Sequence, residues 1–148
     1  MGMLKSRNPR FYAEIKERLK GQKFMHLMGF DLTEIEAGRI VGEMELDEIH
    51  LQQFGYVHGG VTATISDICM GFAAYSLVPK GFGTVTANIS IDYFKPGQGE
   101  KIIAIGEVEK AGKSMMFCVG KVFTERNGQR MLISTSRSVM AVVDASNH

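Results

Sequence analysis

Hydrophobic residues change their spacing several times along this chain. Over residues 9–28 they recur three and four apart, as Phe11, Ile15 and Leu19 and then Phe24, Leu27 and Met28, with Lys16, Glu17 and Lys20 elsewhere. That spacing predicts a helix, with Asn8 as N-cap, Pro9 in the first turn and a weak point or kink at Gly21. Residues 30–36 and 39–46 predict two strands about Ala37-Gly38. In the second, Ile40, Gly42, Met44 and Leu46 face one way and Arg39, Val41, Glu43 and Glu45 the other. Residues 59–78 are apolar nearly all round and predict a buried central helix, stopped by Pro79 and Gly81. Four strands are expected after it. In residues 84–94, Val85, Ala87, Ile89, Ile91 and Tyr93 alternate with Thr84, Thr86, Asn88, Ser90 and Asp92. Residues 101–110 and 114–125 form a hairpin about Gly112, and Asn127-Gly128 turns the chain into residues 129–143. The expected architecture is α+β, with an antiparallel sheet of about six strands around one long helix and an extra N-terminal helix.

With 148 residues, 45% of them hydrophobic, the chain is expected to be a single domain over 1–148 with a real core. Seventeen basic against sixteen acidic residues leave a net charge of +1, which gives no reason to expect nucleic acid or a membrane as a partner. Two cysteines, Cys69 and Cys118, lie in apolar stretches and are expected to be reduced core thiols. No apolar run approaches the ~20 residues that cross a bilayer, and residues 1–20 lack the uncharged block of a secretory signal, so a cytoplasmic location is expected. The four histidines are scattered, which disfavours a metal site. No Gly-x-Ser-x-Gly, His-Glu-x-x-His or phosphate-binding glycine loop occurs.

Two features carry chemistry. His58-Gly59-Gly60 opens the central helix, where the first N–H groups have no internal partner and the dipole is positive. Glycines there admit a ligand to the backbone, and such N–H groups suit a developing oxyanion. The alternative is a plain loop-to-helix entry with His58 packed or capping. The second feature is Asp67, a carboxylate in the middle of an apolar helix with Ala63, Gly71 and Ala74 beside it. It is either an acid bonded to a facing strand or subunit, or a reacting group with room above it. Gly60 and Asp67 stand seven residues apart, about 10 Å along one helix, whereas a single carbonyl must lie ~3 Å from both donor and attacking group. If both serve one site, they come from two chains of a homodimer. Thr86, on the polar face of its strand, and Gln52, ahead of the glycine loop, are further candidates for holding a carboxylate, water or substrate.

The stretch from His58 to Asp67, His-Gly-Gly-Val-Thr-Ala-Thr-Ile-Ser-Asp, resembles the hotdog-fold acyl-CoA thioesterases, in particular the phenylacetyl-CoA thioesterase-like branch. Asp92-Tyr93-Phe94-Lys95-Pro96 and the Gly112-Lys113-Ser114 turn extend the likeness over roughly residues 10–143. The resemblance implies a sheet wrapped around the helix, paired as a dimer and often as a dimer of dimers. It implies that Gly59, with Gly60 beside it, polarises the thioester carbonyl, and that Asp67 of the partner chain acts as general base or nucleophile. The family's Asn six positions before the His is here Gln52, and its strand Ser or Thr falls at Thr86. The function expected is hydrolysis of an acyl-CoA to free acid and CoA, with no metal or redox cofactor; CoA enters only as part of substrate and product. A non-catalytic acyl-CoA-binding module is the alternative. Phe54, Met70, Phe72 and Tyr75 are expected to line the acyl tunnel, and Lys95, Lys113 and Arg137 are candidates for the CoA phosphates.

Overall fold

The structure, a computed structural model, describes residues 4–146. Three helices, α1 (Phe11–Leu19), α2 (Lys23–Met28) and α3 (Gly59–Tyr75), accompany six strands: β1 (Asp31–Glu36), β2 (Arg39–Glu45), β3 (Phe82–Tyr93), β4 (Lys101–Ala111), β5 (Met115–Arg126) and β6 (Gln129–Asp144). The strands form one antiparallel sheet in the order β1-β2-β4-β5-β6-β3. The expected α+β architecture is present. Helix α3 crosses the inner face of the sheet and packs on β2 to β6. Ile65, Cys69, Met70 and Ala73 meet Ile40, Ile102, Ala104, Met116 and Val122 in the core.

Local chemistry explains the tight connections. Asn127 and Gly128 both adopt positive φ, 52° and 78°, the backbone that a two-residue turn between twisted strands requires. At Gly106 on β4, a Cβ would collide with the backbone of Cys69 and Met70, so glycine lets α3 settle onto the sheet.

Several boundaries depart from the periodicity. The expected single helix over 9–28 is two, because the chain leaves α1 through short-range bonds from Gly21 N–H to Arg18 and from Gln22 N–H to Leu19, and Gln22 takes φ −83°, ψ 73°. Asn8 is not the N-cap: Arg10 occupies that position, and Asn8 Oδ1 instead accepts from Arg10 N–H at 3.0 Å, with Pro9 in the turn ahead of the helix. Helix α3 ends at Tyr75 rather than residue 78; Ser76 follows, its hydroxyl donating to Ala73 C=O and accepting from Gly38 N–H.

The largest departure is in β3. Its register shifts between Thr86 and Asn88, a bulge that moves the inward face from one parity of residue to the other. Thr84 and Thr86 face α3 before it, and Ile89 packs on the core after it. The uniform alternation of residues 84–94 is therefore broken, and Val85 is 52% exposed. β3 is also an edge strand, bonded to β6 alone.

Candidate active site at the N-terminus and middle of the central helix

Helix α3 carries two polar stations. At its start, His58 has extended φ and ψ of −61° and 134° and caps the helix: its Nδ1 accepts from Gly60 N–H at 2.9 Å. The ring must therefore be unprotonated at Nδ1. This occupies the Gly60 donor. Gly59 N–H has no acceptor among the described residues and is the free donor of the loop. The Gly59 carbonyl accepts from Tyr93 Oη at 2.7 Å, which pins the peptide that follows. Burial raises the Tyr93 phenol above its ordinary pKa, so it stays a protonated donor. Gln52 stands in the same cleft of about 370 Å³ as Gly59, Tyr93 and Lys95. Its Oε1 accepts from Phe54 N–H, which leaves its NH₂ as the group able to donate.

The second station lies eight residues on, about 12 Å along the axis. Asp67 Oδ1 accepts from Thr86 Oγ1 at 2.6 Å, a bond the β3 bulge makes possible by turning Thr86 inward. The carboxylate opens into a different cleft, of about 540 Å³, whose walls include Thr64, Ile68, Gly71, Phe72, Tyr75 and Thr84. His58 and Gly60 border a third cleft, of about 440 Å³, with Phe24, Leu27 and Ile49. Within one protomer, then, the free amide and the carboxylate face separate spaces.

Of the expected tunnel residues, Phe72 and Tyr75 do line the Asp67 cleft. Met70 does not: it is fully buried against the sheet beside Gly120 and Ser136. An all-round apolar helix gives no sign of which side meets the sheet, and packing put Met70 on that side. Phe54 is 74% exposed at the tip of a turn closed by Gly55 and borders none of the three clefts. Lys113 is exposed in the β4–β5 turn and Lys95 beside the Gly59 cleft. Arg137 is paired with Glu109 at 3.4 Å on the outer face of the sheet. The periodicity did not mark Tyr93, Arg18 or Thr84 as site residues. Tyr93 was visible as the aromatic that ends a strand; Arg18 carried no sequence signal, since its partner Tyr75 is 57 positions away.

Both cysteine thiols are buried and pushed up, Cys118 to about 11, by loss of solvent. Neither serves as a nucleophile at neutral pH. No cluster of three metal-ligating side chains occurs among the described residues, and no described helix is long and apolar enough to cross a membrane.

A six-stranded antiparallel sheet wrapped on one long helix is the hotdog fold, and the sequence comparisons agree with it. The sequence model of the thioesterase superfamily matches residues 54–130, which include both stations. Human acyl-coenzyme A thioesterase 13 is 31% identical over 105 residues, spanning 70% of this chain and 74% of that protein. The 1,4-dihydroxy-2-naphthoyl-CoA thioesterase 2 of Arabidopsis thaliana is 29% identical over 119 residues, spanning 76% of this chain and 74% of its own. Among solved structures, a thioesterase family protein from Silicibacter pomeroyi superposes with a TM-score of 0.88 at 23% identity, covering 90% of this chain and 98% of that one. The E. coli PaaI protein superposes with a TM-score of 0.82 at 18% identity, covering 93% and 96%. At such identities the structures speak for the fold alone. The chain belongs to the thioesterase superfamily and is a thioester hydrolase.

Proposed function

We propose that this protein hydrolyses acyl-CoA thioesters to a free carboxylic acid and CoA, in a site shared by two copies of the chain. The observation that carries the reading is the pair of half-sites: one free backbone donor at Gly59 and one hydrogen-bonded carboxylate at Asp67, opening into separate clefts of the same protomer. Placing the Gly59 loop of one copy over the Asp67 cleft of another completes a site, and twofold symmetry makes two of them. The β3 edge supports this pairing. It is twelve residues long, free of proline and lysine, and carries half-exposed apolar side chains, a surface that isolated proteins ordinarily blunt. A pair of such dimers agrees with the family resemblance.

Within the shared site, Thr86 holds Oδ1 of Asp67 and leaves Oδ2 to take a proton from water. The water oxygen bonds to the thioester carbon, and the carbonyl electrons move to oxygen, where the partner's free amide at Gly59 stabilises the charge. Collapse expels the CoA sulfur as thiolate, which leaves with the proton held at Asp67. Gln52 and exposed Lys95 border the same cleft as Gly59, which supports a role for the Gln52 NH₂ on carbonyl or water and for Lys95 on a CoA phosphate. The reading calls on no metal or redox group and places the enzyme in the cytosol. A pure binding module has no use for a carboxylate with a dedicated donor at this position.

Release of free thiol from a panel of aryl, short and long acyl-CoAs tests the activity. No thiol from any of them, with binding retained, sinks the assignment. A chain that remains a monomer in solution yet turns over sinks the shared site.

A further inference from the structure

The cleft at Asp67 continues beyond the carboxylate. Thr86 meets Asp67, and Thr84 Oγ1 donates to Gly71 C=O at 3.2 Å, so β3 tracks α3 in the opposite direction and a trough runs between them toward Tyr75. Gly71 keeps the middle open: a Cβ there would have only Met140 Cε near it, at 4.0 Å. Arg18 closes the far end through its bond to the Tyr75 hydroxyl, and Gln22 and Phe24 complete the lining.

Tyr75 is held there from three sides. Its ring stands edge-on to Phe72, with centroids 6.4 Å apart and planes at 86°. The Arg18 guanidinium lies 5.0 Å over the ring, and Arg18 Nε donates to the Tyr75 hydroxyl at 2.6 Å. That hydroxyl in turn donates to Glu14 Oε2 at 3.4 Å, an oxygen that Asn8 Nδ2 also holds at 2.8 Å. The side chain is 8% exposed. A ring with this many fixed contacts is a wall rather than a mobile lining.

We infer that Tyr75, clamped by Arg18, is the floor that limits acyl-chain length, a statement that rests on the hydrolase reading above. Asp67 and Tyr75 are eight residues apart, about 12 Å along the helix. An extended chain advances ~3.5 Å per three bonds, so this distance takes a saturated acyl chain of about ten carbons. The clamp comes from α1, outside the residues 54–130 that match the superfamily. The floor ring shares α3 with Asp67, but the Arg18 clamp that fixes it comes from α1, which lets acyl length be tuned without touching the reacting groups.

The test is kcat/KM, by thiol release, for saturated acyl-CoAs from acetyl to palmitoyl, each kept below its micellar concentration. Each buried methylene is worth ~0.8 kcal/mol, so kcat/KM is expected to climb by about fourfold per methylene up to decanoyl. Beyond it, forcing extra carbons against the floor is expected to lower the rate by about tenfold or more at palmitoyl. Arg18→Ala truncates an exposed side chain and frees the ring; it is expected to raise the palmitoyl-to-decanoyl ratio about tenfold, and Tyr75→Leu to do the same. Should Tyr75→Leu fail to fold, Arg18→Ala decides alone. A wild-type profile without a maximum, or an unchanged ratio in Arg18→Ala, overturns the floor while leaving the hydrolase standing. Absence of thiol release from every acyl-CoA overturns both.

Discussion

Replacing Gly59 with proline removes one amide hydrogen from this protein and adds a small ring in its place. Gly59 is the first residue of α3, where an N–H has no intrahelical partner and proline is well accommodated. The residue before a proline must be extended, and His58 already is, at φ −61° and ψ 134°. The first carbon of the new ring, a Cβ at Gly59, would lie 3.6 Å from Tyr93, an ordinary contact. The fold is therefore expected to survive Gly59→Pro, and the stiffer unfolded chain to raise stability by about 0.4–1 kcal/mol. The rate is expected to collapse. If the Gly59 amide is the oxyanion donor, its loss costs about 10²–10³ in kcat, or ~2.7–4 kcal/mol of transition-state stabilisation. Gly59→Ala, which keeps the N–H and adds only that ordinary contact, is expected to stay within about threefold of wild type. Thiol-release kinetics and a thermal melt on the three proteins provide the comparison. A Gly59→Pro enzyme that melts normally and turns over at near the wild-type rate refutes the assignment of the donor. Equal damage from Gly59→Ala assigns the loss to crowding instead.

Asp67→Asn is expected to lower kcat by about 10²–10⁴ with little change in substrate binding, measured by steady-state rates and by titration with a non-hydrolysable acyl-CoA analogue. Mixing Asp67→Ala with Gly59→Pro chains, each inactive alone, is expected to recover about a quarter of wild-type activity. Half of randomly assorted dimers are mixed, and each has one intact site of two; no recovery after verified subunit exchange argues for a site within one chain. Thr86→Val removes the hydroxyl 2.6 Å from the carboxylate and is expected to lower kcat, with Thr86→Ser restoring most of it, since hydrogen bonds to charged groups are worth about 1.5–3 kcal/mol. Tyr93→Phe releases the Gly59 carbonyl and is expected to lower kcat more than it raises KM. The folded Cys118 thiol holds its proton up to about pH 11, against an ordinary value of 9.0. The folded state therefore binds more protons than the unfolded one between these values, and stability is expected to fall as pH rises from about 9 to 11. Thermal melts across that window check it.

Local pattern determined much of this molecule. Two-residue periodicity and turn chemistry at Ala37-Gly38, Gly112 and Asn127-Gly128 set strand number and the three hairpin pairings, because hairpins bring neighbours together with few choices, whereas β2–β4 and β3–β6 join distant segments and were decided by the fold. The run from His58 to Asp67 marked both polar stations of α3 through residues that a purely structural helix would not favour. What the run did not contain was orientation. A helix apolar on all sides gives no preference for a face, so only packing on the sheet separated buried Met70 from Phe72 and Tyr75 in the cleft. Which of two adjacent glycine amides stays free depended on the rotamer of His58, which takes the Gly60 hydrogen. The partner of Asp67 depended on one extra residue in β3, a bulge that reverses the strand's faces and turns Thr86 inward. Arg137 found Glu109, and Arg18 found Tyr75, across separations of 28 and 57 residues that periodicity does not register. Short-range sterics and hydrophobic spacing act between near neighbours and can be read along the chain. The contacts that choose a face, a free donor or an ion-pair partner join distant segments, and they exist only once the sheet has closed over the helix.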